Sequence, residues 1–349
     1  MINDIIQTIR DIVNNKTPQT DISELLQEHG CMYLLSLFDN GINQKVKLSM
    51  ILNTVVIRER YNACNNVFKV LESESIPYAV IKGAVLSKQA YGNINYKQSG
   101  DTDILIAPDN LNKIKKILKD EAFIQGRVIE DKIVPFTRQE LIYQSTFSHQ
   151  TAPFVKKTDS KICPFINVDI NTDIMWGESG VKSDMSFFLN ETENIDIQGV
   201  TVKKLLPVKE FISLCLHHYK DMNSIYLLSN GSLRLSLFCE IYYYLKNNNL
   251  SAYELKQLSE KLKVRDYIYY CICLTNEIFD DPQLLPYLNV LKTDSAQKLI
   301  NFFGLDDTER KEWNMPFFDR LFSSDFGNNF DKLLTDKDRK KIRINHEMM

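Results

Sequence analysis

One short segment limits this chain more than any other: Ser99-Gly100-Asp101-Thr102-Asp103-Ile104-Leu105-Ile106. Residues 102–107 are β-rich and stop at Pro108-Asp109, so the segment reads as a short strand that opens on acids and continues apolar. Side chains i and i+2 of a strand share a face, which sets Asp101 and Asp103 side by side. Two carboxylates that close repel each other, and a pKa rises unless a cation lies between them. A hard divalent ion, Mg²⁺ or Mn²⁺, is the natural partner, because it takes oxygen ligands and keeps waters for substrate phosphates. A Gly-Asp-x-Asp run alone also suits a turn, so it needs support from elsewhere in the chain.

Two other segments supply it. Phe165-Ile166-Asn167-Val168-Asp169-Ile170-Asn171 alternates with period two, placing Phe165, Asn167, Asp169 and Asn171 on one face and Ile166, Val168 and Ile170 on the other. An unpaired acid among such residues is costly to bury. Asp169 is therefore a candidate third carboxylate, able to bridge toward a second ion. Upstream, Tyr78-Ala79-Val80-Ile81 is a strand-like run that meets Lys82-Gly83 before a helix over 84–91. Glycine there lets backbone N–H groups approach a phosphate at a helix N-terminus, and Lys82 adds a point charge for β/γ-phosphates. Strand, glycine turn, helix, Asp-x-Asp strand and a distant Asp on a third strand fit nucleotidyl transfer. In that chemistry two metals stabilise the attacking and leaving oxygens at an α-phosphorus.

The rest of the chain sets the frame. Its 349 residues allow one large domain or two ordinary ones. Only 12 Gly and 10 Pro argue against an all-β sandwich and for helices. Residues 1–74 read as helices, with Ile5, Ile6, Ile9 and Ile12/Val13 at helical spacing, a cap at Asp21-Ile22-Ser23-Glu24, and a stripe of Ile51, Val55, Val56, Tyr61, Val67, Phe68 and Leu71. Within 75–204, residues 111–122 form an amphipathic helix, and residues 123–133, 140–147 and 195–202 read as strands. From Pro207 onward the chain is helical again, with a charged tail over 331–343. The expected fold is α+β: a small mixed β-sheet core at 75–204, flanked by N-terminal helices at 1–74 and a C-terminal helical bundle at 205–349.

The net charge of −3 excludes a broad electrostatic grip on nucleic acid as the main activity. The first residues lack a signal-peptide pattern, and no apolar run approaches the ~18–20 residues that span a bilayer. Seven scattered cysteines without a Cys-x-x-Cys pair read as reduced core thiols of a cytoplasmic protein.

Residues 78–86, Tyr91, 97–106 and 168–171 resemble the uncharacterised nucleotidyltransferase family of the polymerase-β-like superfamily, across roughly residues 60 to 245. The resemblance implies a small mixed sheet flanked by helices, with Asp101, Asp103 and Asp169 as catalytic, metal-binding carboxylates. It also places Lys82, Gly83, Lys97, Ser99 and Gly100 on the nucleotide side. The sequence departs from the family pattern at Lys97, where Arg is usual and a point charge replaces a bidentate fork, and at Asn171, where His is frequent. Leu214-Cys215-Leu216-His217 resembles a helical element of the family that points to His217, whereas helix phase puts His218 on the apolar stripe. Either histidine also reads as a hydrogen-bonded core residue.

Weaker candidates complete the picture. His149, at the end of the 140–147 segment, either touches substrate or caps the strand. Arg138, Lys156 and Lys157 either meet phosphate or are solvated, and solvation suits the lysines better. Tyr242-Tyr243-Tyr244 fits helical core packing, since no basic residues interleave it. The leading expectation is a Mg²⁺-dependent enzyme that moves a nucleoside monophosphate from a triphosphate to an acceptor and releases pyrophosphate. A small molecule, peptide or protein acceptor is favoured over RNA, because no basic stripe is present. The alternative is a catalytically silent nucleotide-binding or protein-interaction module on the same fold.

Overall fold

The computed structural model describes residues 2–38, 44–147, 150–179 and 182–348. The chain forms two compact units, one of residues 1–46 with 211–349 and one of residues 47–210. The architecture is α+β: N-terminal helices, a six-stranded mixed sheet and a C-terminal helical region.

Three helices open the chain: α1 (Ile2–Val13), α2 (Ser23–Glu28) and α3 (Met32–Phe38). Ile6, Ile9, Ile12 and Val13 are the buried stripe of α1. The Asp21 carboxylate accepts from Ser23 N at 2.9 Å and Ser23 Oγ at 2.6 Å, holding the entry to α2. Helix α4 (Gln44–Ser73) follows. Its buried stripe starts at Ile57 and continues through Tyr61, Cys64, Val67, Phe68 and Leu71, whereas Ile51, expected on that stripe, is 61% exposed.

The sheet is built from β1 (Tyr78–Ile81), β2 (Asp101–Ile106), β3 (Ile124–Ile129), β4 (Lys132–Pro135), β5 (Phe154–Lys157) and β6 (Phe165–Asn171), in the order β1-β2-β6-β5-β3-β4. All neighbours are antiparallel except β2 and β6, which run parallel. Helices α5 (Gly83–Tyr91) and α6 (Leu111–Asp120) punctuate the first strands. One face of the sheet carries Ile104, Ile106, Ile166, Val168 and Ile170 into a core shared with the α4 stripe, Ile114, Leu118 and Phe123. That burial leaves the opposite faces of β2 and β6 free for polar side chains.

Two β readings hold as hairpins and one is corrected. The 123–133 stretch is the β3–β4 hairpin, closed by Glu130 (φ 47°) and Asp131 (φ 58°), the two positive values that a tight hairpin turn requires. The 195–202 stretch is the turn region of a second hairpin, β7 (Thr192–Ile197) with β8 (Val200–Leu205). Residues 140–147 lie in a helix, α7 (Arg138–Phe147), not a strand. Thr137 Oγ1 accepts from Glu140 N at 3.3 Å, and Glu140 Oε2 accepts from Thr137 N at 2.7 Å. This Thr-x-x-Glu capping box starts a helix that β-rich composition disguised.

Helix α8 (Met185–Leu189) precedes the second hairpin, and α9 (Pro207–Asn223), α10 (Ile225–Leu228), α11 (Leu235–Asn247), α12 (Ala252–Lys261) and α13 (Arg265–Phe279) follow it. Helices α1 and α11 pack on α13. Tyr242, Tyr243 and Tyr244 are all buried in α11, in keeping with their reading as core. No helix among the described residues is long and apolar enough to cross a membrane.

His29 joins the N-terminal helices to α11. Its Nδ1 accepts from Leu235 N at 3.0 Å, which requires a neutral ring. Burial, aided by the Arg234 charge, lowers its pKa to about 4. Between about 6.5 and about 4 the unfolded chain therefore binds the proton and the folded chain does not. The stability that depends on His29 is full above pH 6.5 and is lost, by up to about 3 kcal/mol, as the pH drops to 4, while the raised pKa of Asp169 contributes in the opposite sense over that range. The difference in urea-derived stability between the parent and His29→Asn should shift by about that amount against the parent as the pH drops from 6.5 to 4; a difference that does not change with pH would refute the assignment.

Candidate functional site

The parallel pairing of β2 with β6 sets Asp103 opposite Asp169 and Asp101 opposite Asn167. Strand alternation then turns Asp101, Asp103 and Asp169 to the same face, away from the isoleucine core. Asp103 and Asp169 are 4% and 8% exposed, and Asp101 is half-buried. The Lys82 ammonium lies 2.9 Å from Asp103 Oδ1, and Asn171 Nδ2 donates to the same oxygen at 3.1 Å. Gln150 Nε2 donates to Asp169 Oδ2. No donor among the described residues reaches Asp169 Oδ1, although it is buried.

Electrostatics follow from that crowding. Burial, helped by the neighbouring Asp101 and Asp103 carboxylates and opposed by Lys82, raises the Asp169 pKa to about 8. Asp169 therefore holds a proton readily in the metal-free protein. A divalent cation would take the place of that proton and satisfy the orphaned Oδ1. Three hard oxygen donors with one buried lone pair unsatisfied fit Mg²⁺ or Mn²⁺, held by Asp101, Asp103 and Asp169.

The turn between β1 and α5 forms one edge of the site. Lys82 sits at φ 59°, ψ −155°, a strained region for a residue with a side chain, and Gly83 follows at φ 47°. A Cβ on Gly83 would approach Ser99 Oγ to 3.3 Å. Glycine is required there by both backbone and neighbour. Gly83→Ala should cost about 1–2 kcal/mol and weaken triphosphate binding more than it lowers the melting temperature. A nucleotide titration beside a thermal melt checks this, and parental nucleotide affinity would refute it.

Ser99 Oγ donates to Asp101 Oδ1 at 2.9 Å and lies 3.0 Å from Asp101 O, closing a turn at the head of β2. Gly100 is open, and a Cβ there would meet nothing within 4 Å. Lys97 is held through its main chain: its N–H donates to Ser87 Oγ at 3.1 Å, and its carbonyl accepts from Asn53 Nδ2 at 3.1 Å. The ammonium of Lys156 lies 5.3 Å from the centre of the Phe123 ring. His149 lies outside the described residues. His217 belongs to the other unit, on α9, where its Nε2 lies 3.4 Å from Asp221 Oδ2.

Two participants escaped the reading of the sequence. Arg60 of α4 is 4% exposed and braces the turn, its Nη1 donating to Asp101 O at 2.9 Å and its Nη2 to Ser99 O at 2.7 Å. Its signal was an arginine inside an apolar stripe, between Ile57 and Cys64. Gln150 carried no local signal; a single bridge between Gln150 and Asn171 brings it beside β6. Next to it opens a cavity of about 280 Å³, lined in part by Lys115, Gln125, Arg138, Gln150, Thr151 and Thr172. Gln150 therefore touches both the cavity and Asp169.

The chain matches the family described as "Uncharacterised nucleotidyltransferase" over residues 22–280. Among solved structures it is similar to an antigenic nucleotidyltransferase-like protein from Paracoccidioides brasiliensis, at 15% identity and a TM-score of 0.36, covering 68% of this chain and 92% of that one. No curated protein matches the chain.

Proposed function

The chain belongs to the uncharacterised nucleotidyltransferase family, and from that premise we propose that it transfers a nucleoside monophosphate from a nucleoside triphosphate to an acceptor. The observation that carries the proposal is the convergence of Asp101, Asp103 and Asp169 on one sheet face, with the buried Asp169 Oδ1 unsatisfied. The acceptor oxygen bonds to the α-phosphorus as the bond to the bridging oxygen breaks, and pyrophosphate leaves. The three carboxylates would hold Mg²⁺ or Mn²⁺, which when bound would supply positive charge to the phosphoryl oxygens.

The remaining work falls to the protein's own groups. Lys82, Gly83 and Ser99 line the turn at the head of α5 and receive the β/γ-phosphates. Lys97 and Gly100, on the loop leading to β2, complete the nucleotide side. Asn171 and Lys82 hold the Asp103 carboxylate in place. Asp169 orients the acceptor hydroxyl and takes its proton as the new bond to phosphorus forms. The cavity beyond Gln150 is the acceptor side, where Lys115 and Arg138 suit an acceptor bearing an anionic group. A small molecule, peptide or protein agrees with the net charge of −3 better than RNA does. The cysteine pattern agrees with a reducing, cytoplasmic setting.

The test is to incubate the full chain with each α-labelled nucleoside triphosphate, Mg²⁺ and fractionated lysate. Label should appear in one non-nucleic-acid fraction with one preferred base, and chelation should abolish it. Mg²⁺-dependent triphosphate binding without transfer into any fraction would favour the silent binding module instead.

A further inference from the structure

We propose that helix α9 carries a second metal site, for a transition ion of the Zn²⁺ class, formed by His217, His218 and Asp221 and backed by Glu240 of α11. The site lies within the unit of residues 1–46 and 211–349, and it stands independently of the transferase reading. One ligand atom from each of His217, His218 and Asp221 falls within 4.8 Å of the others.

Helix geometry explains the cluster. His217 and Asp221 are four residues apart, so they share one face of α9. His217 Nε2 and Asp221 Oδ2 are 3.4 Å apart. That is long for a charge-assisted hydrogen bond. It equals the edge of a tetrahedron around an ion with bonds of about 2.1 Å, which is about 3.4 Å.

His218 supplies the independent observation. It is 1% exposed, and its Nε2 lies 2.9 Å from Glu240 Oε2. An ionised carboxylate only accepts, so Nε2 carries a hydrogen, and in the neutral ring Nδ1 then offers its lone pair. That Nδ1 is buried and has no hydrogen-bond partner. A buried acceptor left in this state is destabilising. A histidine that donates through one ring nitrogen to a carboxylate while the other stands free has the form of a metal ligand with its outer partner. The side chains of His217 and Asp221 are 26% and 19% exposed, which gives an ion access from solvent and leaves room for a water as fourth ligand.

The donor set selects the ion class. Two imidazoles and one carboxylate suit Zn²⁺ and its neighbours, whereas Mg²⁺ prefers oxygen alone. The hard carboxylate trio in the sheet and this nitrogen-rich trio on α9 would therefore hold different ions. Bound there, the ion would link α9 to α11 through His218 and Glu240.

The test uses the full chain, stripped by chelation and then held in excess Mg²⁺ so that the oxygen site is saturated. Zn²⁺ titrated by calorimetry should bind at one equivalent, and X-ray absorption of the bound zinc should show two imidazoles. His217→Ala and Asp221→Ala should each weaken Zn²⁺ at least tenfold, with the melting temperature of the stripped protein retained. Glu240→Gln should weaken it while keeping the two-imidazole signature. No stoichiometric Zn²⁺ binding by the parent chain would overturn the proposal. Unchanged affinity in both His217→Ala and Asp221→Ala would do so too. These two side chains are partly exposed, so the result stands even if His218→Ala fails to fold. Nucleotide transfer in excess Mg²⁺ is read separately, so failure of either site is distinguishable from failure of the other.

Discussion

Asp103→Asn should fold like the parent and transfer nucleotide at about a thousandth of its rate or less. The fold should survive because the substitution keeps shape and relieves repulsion. Asp103 faces Asp169 across β2 and β6, and its negative charge helps to raise the Asp169 pKa. The lost partner is Lys82, whose side chain is 16% exposed and can turn to water. Stability should change by about 1 kcal/mol or less, because the relief of like-charge repulsion offsets the broken ion pair. Turnover should not survive, because an amide removes one of the three charges proposed to hold the divalent ion. A discontinuous transfer assay beside a urea melt separates the two quantities. A chain carrying Asp101→Asn and Asp103→Asn together that kept the parental rate would refute the metal-dependent mechanism outright.

Arg60→Ala should be the most damaging change outside the acids. The guanidinium is buried and donates to the carbonyls of Ser99 and Asp101. Its removal takes the Arg60 donor from the Ser99 carbonyl, leaves the Asp101 carbonyl with Ser99 Oγ, and opens a void under the turn. With about 1.5–3 kcal/mol for each hydrogen bond to a charged group, a loss of about 3–5 kcal/mol is expected. The same turn carries Asp101 and sets Ser99 Oγ close to the space above Gly83, so its loosening displaces a carboxylate and the neighbour of the Lys82-Gly83 turn together. A shift of about 1 Å in such a group can cost about 100-fold in rate. Arg60→Lys should recover little, since one ammonium does not reproduce a fork aimed at two carbonyls. Denaturation and turnover should therefore fall together. An Arg60→Ala chain with parental stability would show that the turn holds itself.

Local pattern carried much of the core. The alternation at 165–171 separates the two faces because strand direction depends only on neighbouring residues. The Lys82-Gly83 turn was visible because positive φ favours glycine. Residues 140–147 misled for an equally local reason. β-prone side chains were weighed there, while the capping pair Thr137 and Glu140, which starts α7, was not. Ile51 misled differently: it continues the α4 periodicity beyond the point where α4 has a core to face.

Contacts distant in the chain were not legible. Arg60 reaches Asp101 from 41 residues away, and Asn171 reaches Asp103 from 68. Each residue type is ordinary where it stands, and only its partner makes it a site residue.

From its order of residues alone, this chain was committed to an acid-headed strand, a second strand with one acid on its polar face, and a lysine–glycine turn before a helix. Those features arise from backbone sterics and side-chain alternation over a few residues. The tertiary structure decided that β2 and β6 run parallel with Asp103 opposite Asp169, that Arg60 holds the turn, and that Gln150 links Asp169 to a cavity. Packing of Ile104 and Ile106 with Ile166, Val168 and Ile170 is the physical reason. A one-residue slip would expose that apolar face, so the core's burial sets the register, and the register brings the carboxylates together.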